Sequence, residues 1–330
     1  MNYVLEKKIM GFQDMKTTPV YDLYWKFATT RQDIFFSRIE KKEFPWTDDL
    51  IMQKYKFTNA YRASDRVSQY LIRNVIYSRY DFSPENICFR ILFFKLFNKI
   101  ETWEYMEQTL GHISYSNYNF ELYDKLLTER LNQKQKIYSA AYIMPSGQSC
   151  FGSKKKHQNN LRLLEYMMDT GLARKIALTK NLKDLYVLLL EYPTLGKFLA
   201  FQFSIDINYS ELCDYSEMSF VVAGPGAQNG IKKCFSNLEK YSFEDVIKFV
   251  AEQQESEFEK RNLKFKSLYG RRLQLIDCQN LFCEVDKYAR VAYPEIHGKD
   301  NRKRIKQKYD KKLDEIHFFY PPKWGINDRL

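Results

Sequence analysis

The chain has 330 residues, of which 45% are hydrophobic and 16% aromatic, so it can bury a large core as one domain or as two moderate ones. Its 52 Lys and Arg residues outnumber its 41 Asp and Glu residues, and the net charge of +11 favours a polyanionic partner. The lack of any stretch of about 20 apolar residues excludes a membrane-spanning helix, so we expect no membrane partner.

The cysteine and histidine spacings argue against a metal site. The six cysteines include no CxxC pair, and the four histidines form no HxxxH cluster. We therefore expect no metal, no cofactor and free thiols. The first residues, MNYVLEKKIMGFQDMK, lack the apolar core of a signal peptide, which predicts a cytoplasmic protein. No pattern indicates an obligate protein partner.

Hydrophobic periodicity predicts an all-α fold, possibly of two lobes, with no convincing strand alternation. A Ser-Pro pair at 83–84 predicts the start of a helix that is apolar nearly all round. Residues 117–144 are predicted to form two helical segments, and 145–158 a polar loop that faces the substrate. The other predicted helices span 21–40, 58–78, 159–169, 181–191, 243–260, 271–296 and the basic 297–312.

The predicted helix over 58–78 carries a row of polar side chains at three- and four-residue steps. Asp65 can pair with Arg62 and Arg66 and fix their orientation, and an ordered pair of guanidinium groups suits a phosphate. The alternative is an ordinary surface helix with salt bridges.

Two turns in the stretch 190–235 predict phosphate contacts. The segments 192–196 and 224–227 each combine Pro with Gly before an apolar run, a pattern that predicts helix, tight turn and helix. The first N–H groups of the second helix then lack partners and can bind a phosphate. Four carboxylates lie between the turns, and the combination indicates an enzyme acting on nucleic acid: Asp206, Glu211, Asp214 and Glu217.

The first turn resembles the hairpin of the helix-hairpin-helix DNA glycosylases. The matching positions are Tyr192, Pro193, Leu195, Gly196 and Ala200, whereas Thr194 stands where that family has its first Gly. The resemblance implies a catalytic Asp at about the position of Asp214. Bifunctional members carry a nucleophilic Lys where this chain has Phe198, and Lys197 is one residue early, so the resemblance implies a monofunctional enzyme.

Segments spread over residues 24–290 resemble the helical domain of phage hydroxymethyluracil-DNA kinases and the related thymine pyrophosphorylases. They are 24–27 with 31–32, 45–49, 56–62 with 65–66, 97–98 with 103, 206–210, 223–227 with 230–231, and 283–288. The resemblance implies a single glycosylase-like helical domain over 1–330, with a family core over 20–296 and a basic extension over 297–330. The phosphate-binding pattern GxxxxGK[ST] is absent from the sequence, so the kinase half is not expected here.

We first expect a monofunctional DNA glycosylase that flips out and excises a hypermodified pyrimidine from phage DNA in anti-phage defence. Its catalytic carboxylate is expected to be Asp214, then Asp206. The residues expected to form the base pocket or position water are Asn208, Tyr209, Trp46, Asn59, Arg62, Asp65 and Arg66. The expected contacts to the DNA backbone are Thr194, Gly196, Lys197, Gly224, Gly226, Lys154, Lys155 and Lys156.

Two alternatives remain open from the sequence. One is a transferase that displaces pyrophosphate from an activated hydroxymethylpyrimidine and joins an amine to the base. The other is a reader of modified DNA that has the same pocket and no catalytic activity.

Overall fold

The computed structural model describes residues 15–78, 82–300, 302–310 and 317–330. Helices dominate these ranges, and the predicted all-α class is confirmed. Extended pairing in the described ranges is limited to two isolated bridges and the antiparallel pair β1 (Lys16–Thr17) and β2 (Phe235–Asn237). The helices are α1 (Pro19–Ile39), α2 (Leu50–Lys54), α3 (Arg66–Tyr70), α4 (Pro84–Phe97), α5 (Ile100–Leu110), α6 (Phe120–Asn132), α7 (Gln148–Phe151), α8 (Lys156–Asp169), α9 (Leu172–Ala177), α10 (Leu182–Leu190), α11 (Lys197–Asn208), α12 (Pro225–Cys234), α13 (Phe243–Lys260) and α14 (Leu275–Ala292).

The chain divides into two compact units. The described residues of the first unit fall within 1–60, 223–266 and 278–311, and those of the second fall within 61–222, 267–277 and 312–330.

The first unit is built around α1, α12, α13 and most of α14. The ring of Trp25 on α1 packs edge-on against Phe258 on α13, with ring centroids 4.9 Å apart. Gly230 on α12 lies so close to α14 that a Cβ there would be 2.0 Å from the Phe282 carbonyl oxygen. This glycine therefore permits the close approach of two helices.

The second unit is built around α4. Twelve of its residues, Asn86–Phe97, are buried, because neighbouring helices cover it on all sides. Ser83 caps its N-terminus and accepts the Asn86 N–H, as the Ser-Pro pair predicts. Because α4 is buried all round, any charged side chain on it must find a partner inside the unit.

Several predicted helices are confirmed. The helix α13 matches the predicted 243–260, and α1 and α10 match their predicted segments within two residues. Gly171 has φ +72°, as expected for a helix C-terminus. The helix-turn-helix predicted at 192–197 is also present, formed by α10, the turn and α11.

The single helix predicted over 58–78 is wrong. Residues 62–64 form a 3-10 turn, α3 covers five residues, and Leu71–Ile76 is a π-helix. In the first unit the Glu284 carboxylate accepts the Thr58 N–H, and in the second Asp277 accepts the Arg62 N–H. Because these carboxylates satisfy the backbone donors, a helix is not required to pair them.

Two further helix predictions are wrong. Residues 133–144 do not form a second helix after α6, and Lys134 and Tyr142 in that segment have positive φ. The basic segment predicted as a helix over 297–312 shows no helix in its described residues. Instead, Lys308 pairs with Tyr55 in an isolated antiparallel bridge, so this segment satisfies its backbone groups by β-type pairing. Residues 301, 311 and 312 lie outside the described ranges.

Candidate active site

A fully buried carboxylate marks the centre of the second unit. Asp206 lies near the end of α11 and is 1% exposed. One of its oxygens is 2.7 Å from a terminal nitrogen of Arg62, and the other is 2.7 Å from the Lys95 ammonium. Arg62 and Lys95 are themselves only 2% and 3% exposed. Two cations therefore share one carboxylate away from water.

Two tyrosines complete this group, which we call the Asp206 cluster: Arg62, Lys95, Tyr142, Asp206 and Tyr209. The Tyr209 hydroxyl accepts a hydrogen bond from Arg62 at 3.1 Å. The Lys95 ammonium lies 4.5 Å from the Tyr142 ring centroid, a cation–π contact. Tyr142 is the half-buried member of the cluster, so it separates the ammonium from solvent.

Burial and mutual attraction together set the protonation of these groups. Burial raises the pKa of Asp206, but Arg62 and Lys95 lower it by more in total, so the carboxylate stays ionised. Burial lowers the pKa of Lys95, and the opposing effect of Asp206 does not restore its ordinary value. The result is an amine that holds its proton less tightly than an exposed lysine does.

Arg62 keeps its charge. Burial lowers the pKa of its guanidinium, and the neighbouring Asp206, Tyr209 and Tyr142 together raise it well above its ordinary value. Its Nε–H is buried and has no hydrogen-bond partner among the described residues. Arg62 can therefore donate one further hydrogen bond to a ligand.

A second buried polar side chain lies one helical turn before Asp206. Gln202 is fully buried, and neither its amide nitrogen nor its amide oxygen has a partner in the described part of the chain. Residues four apart on a helix share one face, so Gln202 and Asp206 lie side by side on α11.

A pair of buried acids lies elsewhere in the same unit. The Asp277 carboxylate accepts the N–H of Arg62 at 2.8 Å and that of Gln274 at 3.0 Å. Glu217 lies 3.3 Å from the Arg271 guanidinium. Burial, helped by the charge of Glu217, raises the pKa of Asp277 to about 7. Burial also raises the pKa of Glu217, although Arg271 opposes the shift.

The structure separates the residues that the sequence grouped. Asp214 is in the loop after α11, with its side chain 81% exposed and 3.8 Å from Lys323. Asn208 is buried, and its amide bonds both the N–H and the carbonyl of Tyr215, so it holds that loop in place. Asp214 is therefore displayed to solvent.

Arg62 and Arg66 do not form the predicted pair. Arg66 is exposed at the start of α3, whereas Arg62 points into the Asp206 cluster, and Asp65 is the residue between the two short helices. Trp46 and Asn59 belong to the first unit. The Trp46 indole donates to the Lys42 carbonyl, and Asn59 accepts from Arg31.

The hairpin has the backbone expected of it. Thr194 has φ +70°, a left-handed conformation that favours glycine. Gly196 and Lys197 are exposed at the start of α11. In the polar loop, Lys154 and Lys155 are exposed, and the Lys156 ammonium lies 4.2 Å from the Tyr138 ring centroid.

The second turn is not a helical hairpin. Residues 209–224 are not helical, and α12 starts at Pro225. Gly224 has φ −67° and needs no left-handed conformation. A Cβ at Gly226 would lie 2.8 Å from the Cys283 sulfur, so this glycine serves helix packing. The helix after the turn, whose first N–H groups were predicted to contact a phosphate, is present as α12, and that contact stays a prediction.

Sequence reasoning missed Lys95, Tyr142 and Gln202. A usable signal existed for Lys95, because a lysine in a helix that is apolar nearly all round must have a buried partner. Tyr142 lies within the irregular segment after α6, where a helix was predicted, and no local pattern marks it. The described ranges contain no group of three or more potential metal ligands and no helix apolar and long enough to span a membrane.

Comparison with known proteins gives a consistent result. A family model described as the helical domain of 5-hmdU DNA kinase matches residues 18–298. A 5-hmdU DNA kinase of Bacillus phage SP10 is 27% identical over 325 residues, covering 92% of this chain and 50% of that protein. The chain thus spans about half the length of the curated relative. No solved structure matches it.

These findings overturn the glycosylase interpretation. The relative is named as a kinase, which is a transferase, and neither match describes the hydrolysis of an N-glycosyl bond. The prediction of a hydrolase that excises flipped bases is wrong, and the excision role expected of Asp214 falls with it. The hairpin pattern predicted the local backbone correctly, but a backbone geometry does not specify a reaction. The predicted resemblance to the kinase helical domain is confirmed, and the chain belongs to the family of the 5-hmdU DNA kinase helical domain.

Proposed function

We propose that this chain is a group-transfer enzyme that modifies 5-hydroxymethyluracil in DNA. Its family membership, the name of its relative and its net charge of +11 support this proposal. The chain spans about half the length of that relative, and we propose for it one chemical step at the modified base.

The proposed step is the displacement of pyrophosphate from an activated hydroxymethyl group by an amine. The lone pair of the amine nitrogen forms a bond to the methylene carbon on C5 of the base. The carbon–oxygen bond breaks, and pyrophosphate leaves with that electron pair. The attacking nitrogen must also lose one proton, so the step needs an anion-binding group and a base.

The Asp206 cluster offers both groups, and this is the observation that carries the proposal. Arg62 retains its charge, and its buried Nε–H has no partner among the residues that the structure describes, which suits the leaving pyrophosphate. Lys95 has a lowered pKa, so a larger fraction of it than of an exposed lysine is neutral, and in that neutral form it can accept the proton from the amine. Asp206 stays ionised and holds both side chains in place, which makes it a positioning residue.

Entry of the base requires movement of Tyr142. This residue has φ +53°, and its ring stacks on Phe198 with centroids 5.9 Å apart while covering the Lys95 ammonium. An aromatic ring at this position can stack on an incoming pyrimidine, because every base has a π-face. We assign Tyr142 the role of a gate between solvent and the cluster.

Basic segments are proposed to hold the DNA backbone. In the first unit, residues 302–310 are not helical and carry five exposed cations: Arg302, Lys303, Arg304, Lys306 and Lys308. In the second unit, Lys154, Lys155 and Lys197 are exposed. Contacts of this kind bind phosphates without reading sequence and weaken as salt is added.

The transfer assay uses a duplex with a single 5-(pyrophosphoryloxymethyl)uracil, and each reaction contains one amine: glycine, glutamate or putrescine. Pyrophosphate release would be followed for the wild type and for Lys95→Met, with Lys99→Met as the matched control. Lys99 is a partly exposed lysine that pairs with Glu101, outside the cluster. We expect Lys95→Met to lower kcat by at least about 100-fold and Lys99→Met to leave it within about twofold.

The outcomes separate the candidate functions. Amine-dependent pyrophosphate release that needs Lys95 supports the proposal. Release at the wild-type rate in Lys95→Met would overturn the assigned base. Tight binding of the modified duplex with no release for any amine would overturn the transfer step and favour a reader of modified DNA.

A further inference from the structure

The side chain of Gln202 is polar and buried, and the described part of the protein gives it no hydrogen bond. Four polar side chains occur in the last seven residues of α11, and three of them have partners. Ser204 bonds the Ala200 carbonyl, Asp206 pairs with two cations, and Asn208 bonds Tyr215. Gln202 is fully buried, and both of its amide atoms lack a partner among the described residues.

A buried amide without partners destabilises a protein, because its hydrogen bonds to water are lost and not replaced. A methionine or leucine would fill the same space without that cost. Such a group is therefore expected where a ligand supplies the missing partners.

The position of Gln202 indicates what that ligand is. It shares a face of α11 with Asp206, one turn away, so a substrate held at Arg62 and Lys95 would lie beside it. An amide presents one acceptor and one donor side by side. The edge of uracil presents the complement, an N3–H donor flanked by two carbonyl acceptors.

We propose that Gln202 reads the edge of the uracil base, with Oε1 accepting the N3–H and Nε2 donating to an adjacent carbonyl oxygen. This inference rests on the proposed function, and it names the residue that selects the base. It adds a binding role to the cluster and leaves the transfer step to Arg62 and Lys95.

The test pairs a protein variant with a base analogue. Binding of a fluorescent duplex would be measured by anisotropy, with one 5-hydroxymethyluracil or its N3-methyl analogue, which has lost the donor. The proteins are the wild type, Gln202→Met and the control Gln133→Met, which changes an exposed glutamine after α6. Hydroxymethylcytosine is a poorer probe, because the glutamine amide can flip and exchange its donor and acceptor to match the edge of that base.

We expect the wild type to bind the N3-methyl duplex at least about tenfold more weakly than the hydroxymethyluracil duplex. Gln202→Met should bind both duplexes with the same weakened affinity, and Gln133→Met should behave as the wild type does. The Tm of Gln202→Met should also rise above that of the wild type, because the unpaired amide is gone.

The contrary outcomes are distinct. Gln202 does not read the base if the wild type and Gln202→Met discriminate equally between the two duplexes, or if Gln202→Met lowers the Tm. Either result leaves the proposed transfer reaction to be decided by its own assay. If the wild type binds the hydroxymethyluracil duplex no better than a thymine duplex, both the proposed function and this inference are overturned.

Discussion

Replacing Asp206 by asparagine tests the buried charge arrangement directly. The substitution keeps the size of the side chain and removes the one negative charge that two buried cations share at 2.7 Å. Removing one partner of a buried ion pair costs about 3–5 kcal/mol, because the remaining charge stays desolvated and unpaired. For the second unit this corresponds to a fall in Tm of roughly 10 °C.

The loss of stability in Asp206→Asn should become smaller as pH rises. The pKa of Lys95 is already lowered by burial, and without Asp206 it falls further. Since the folded variant then binds fewer protons at Lys95 than the unfolded chain does, its stability rises with pH. The Tm deficit of Asp206→Asn should therefore shrink between pH 7 and pH 9. Adding Lys95→Met to Asp206→Asn should recover part of the loss by removing one unpaired ammonium.

Thermal unfolding followed by circular dichroism at several pH values would measure these effects. Asp214→Asn serves as the control for an exposed carboxylate, and we expect it to change stability by less than about 0.5 kcal/mol. A loss below about 1 kcal/mol for Asp206→Asn, or a deficit that does not vary with pH, would refute the buried three-charge arrangement.

Three further predictions concern stability and can be measured by urea unfolding. Gly230→Ala should lower the free energy of unfolding by about 3 kcal/mol or more, since its Cβ would lie 2.0 Å from the Phe282 carbonyl oxygen. Gly196→Ala, whose Cβ would lie in open space, should lower it by less than about 1 kcal/mol. Equal losses of stability would contradict the packing argument. Thr194→Gly should stabilise the protein by about 1 kcal/mol, because a β-branched residue is strained at φ +70°, and a loss of stability would refute that. The pKa of Asp277 is raised to about 7, so the folded chain keeps a proton that the unfolded chain releases from about pH 4. The free energy of unfolding should therefore fall by up to roughly 4 kcal/mol as pH rises from 4 to 7. Asp277→Asn should remove this dependence on pH, and an unchanged dependence would show that other groups cause it.

Local patterns predicted the elements whose ends are set by their own residues. Ser83 followed by Pro84 marks the start of α4, and the capping box of Ser242 and Asp245 opens α13. The hairpin before α11 was also predicted, although Thr194 occupies the position where a glycine is usual. In each case the determining hydrogen bonds or dihedral angles lie within a few residues of one another.

Elements that depend on distant partners could not be predicted. The segment around Arg62 has a helical pattern, yet Asp277 satisfies its backbone donor from more than 200 positions away. The basic segment ending near residue 310 pairs its backbone with that of Tyr55. Tertiary partners of this kind override local propensity and leave no trace in the nearby sequence.

The candidate site was likewise predictable only in part from the sequence. Arg62, Asp206 and Tyr209 were each singled out, but the sequence could not show that they contact one another, so it ranked the exposed Asp214 above the buried Asp206. Lys95 was noted only as part of an apolar helix. Burial distinguishes these residues, and burial is a property of the assembled fold.

The mass of the modified nucleoside tests the proposed transfer of an amine most directly. DNA with 5-(pyrophosphoryloxymethyl)uracil would be incubated with the wild-type protein and a 15N-labelled amine, digested and examined by mass spectrometry. We predict a nucleoside that carries the 15N label, formed by the wild type and lost in Lys95→Met. Recovery of the unlabelled nucleoside alone, with every supplied amine, would contradict it.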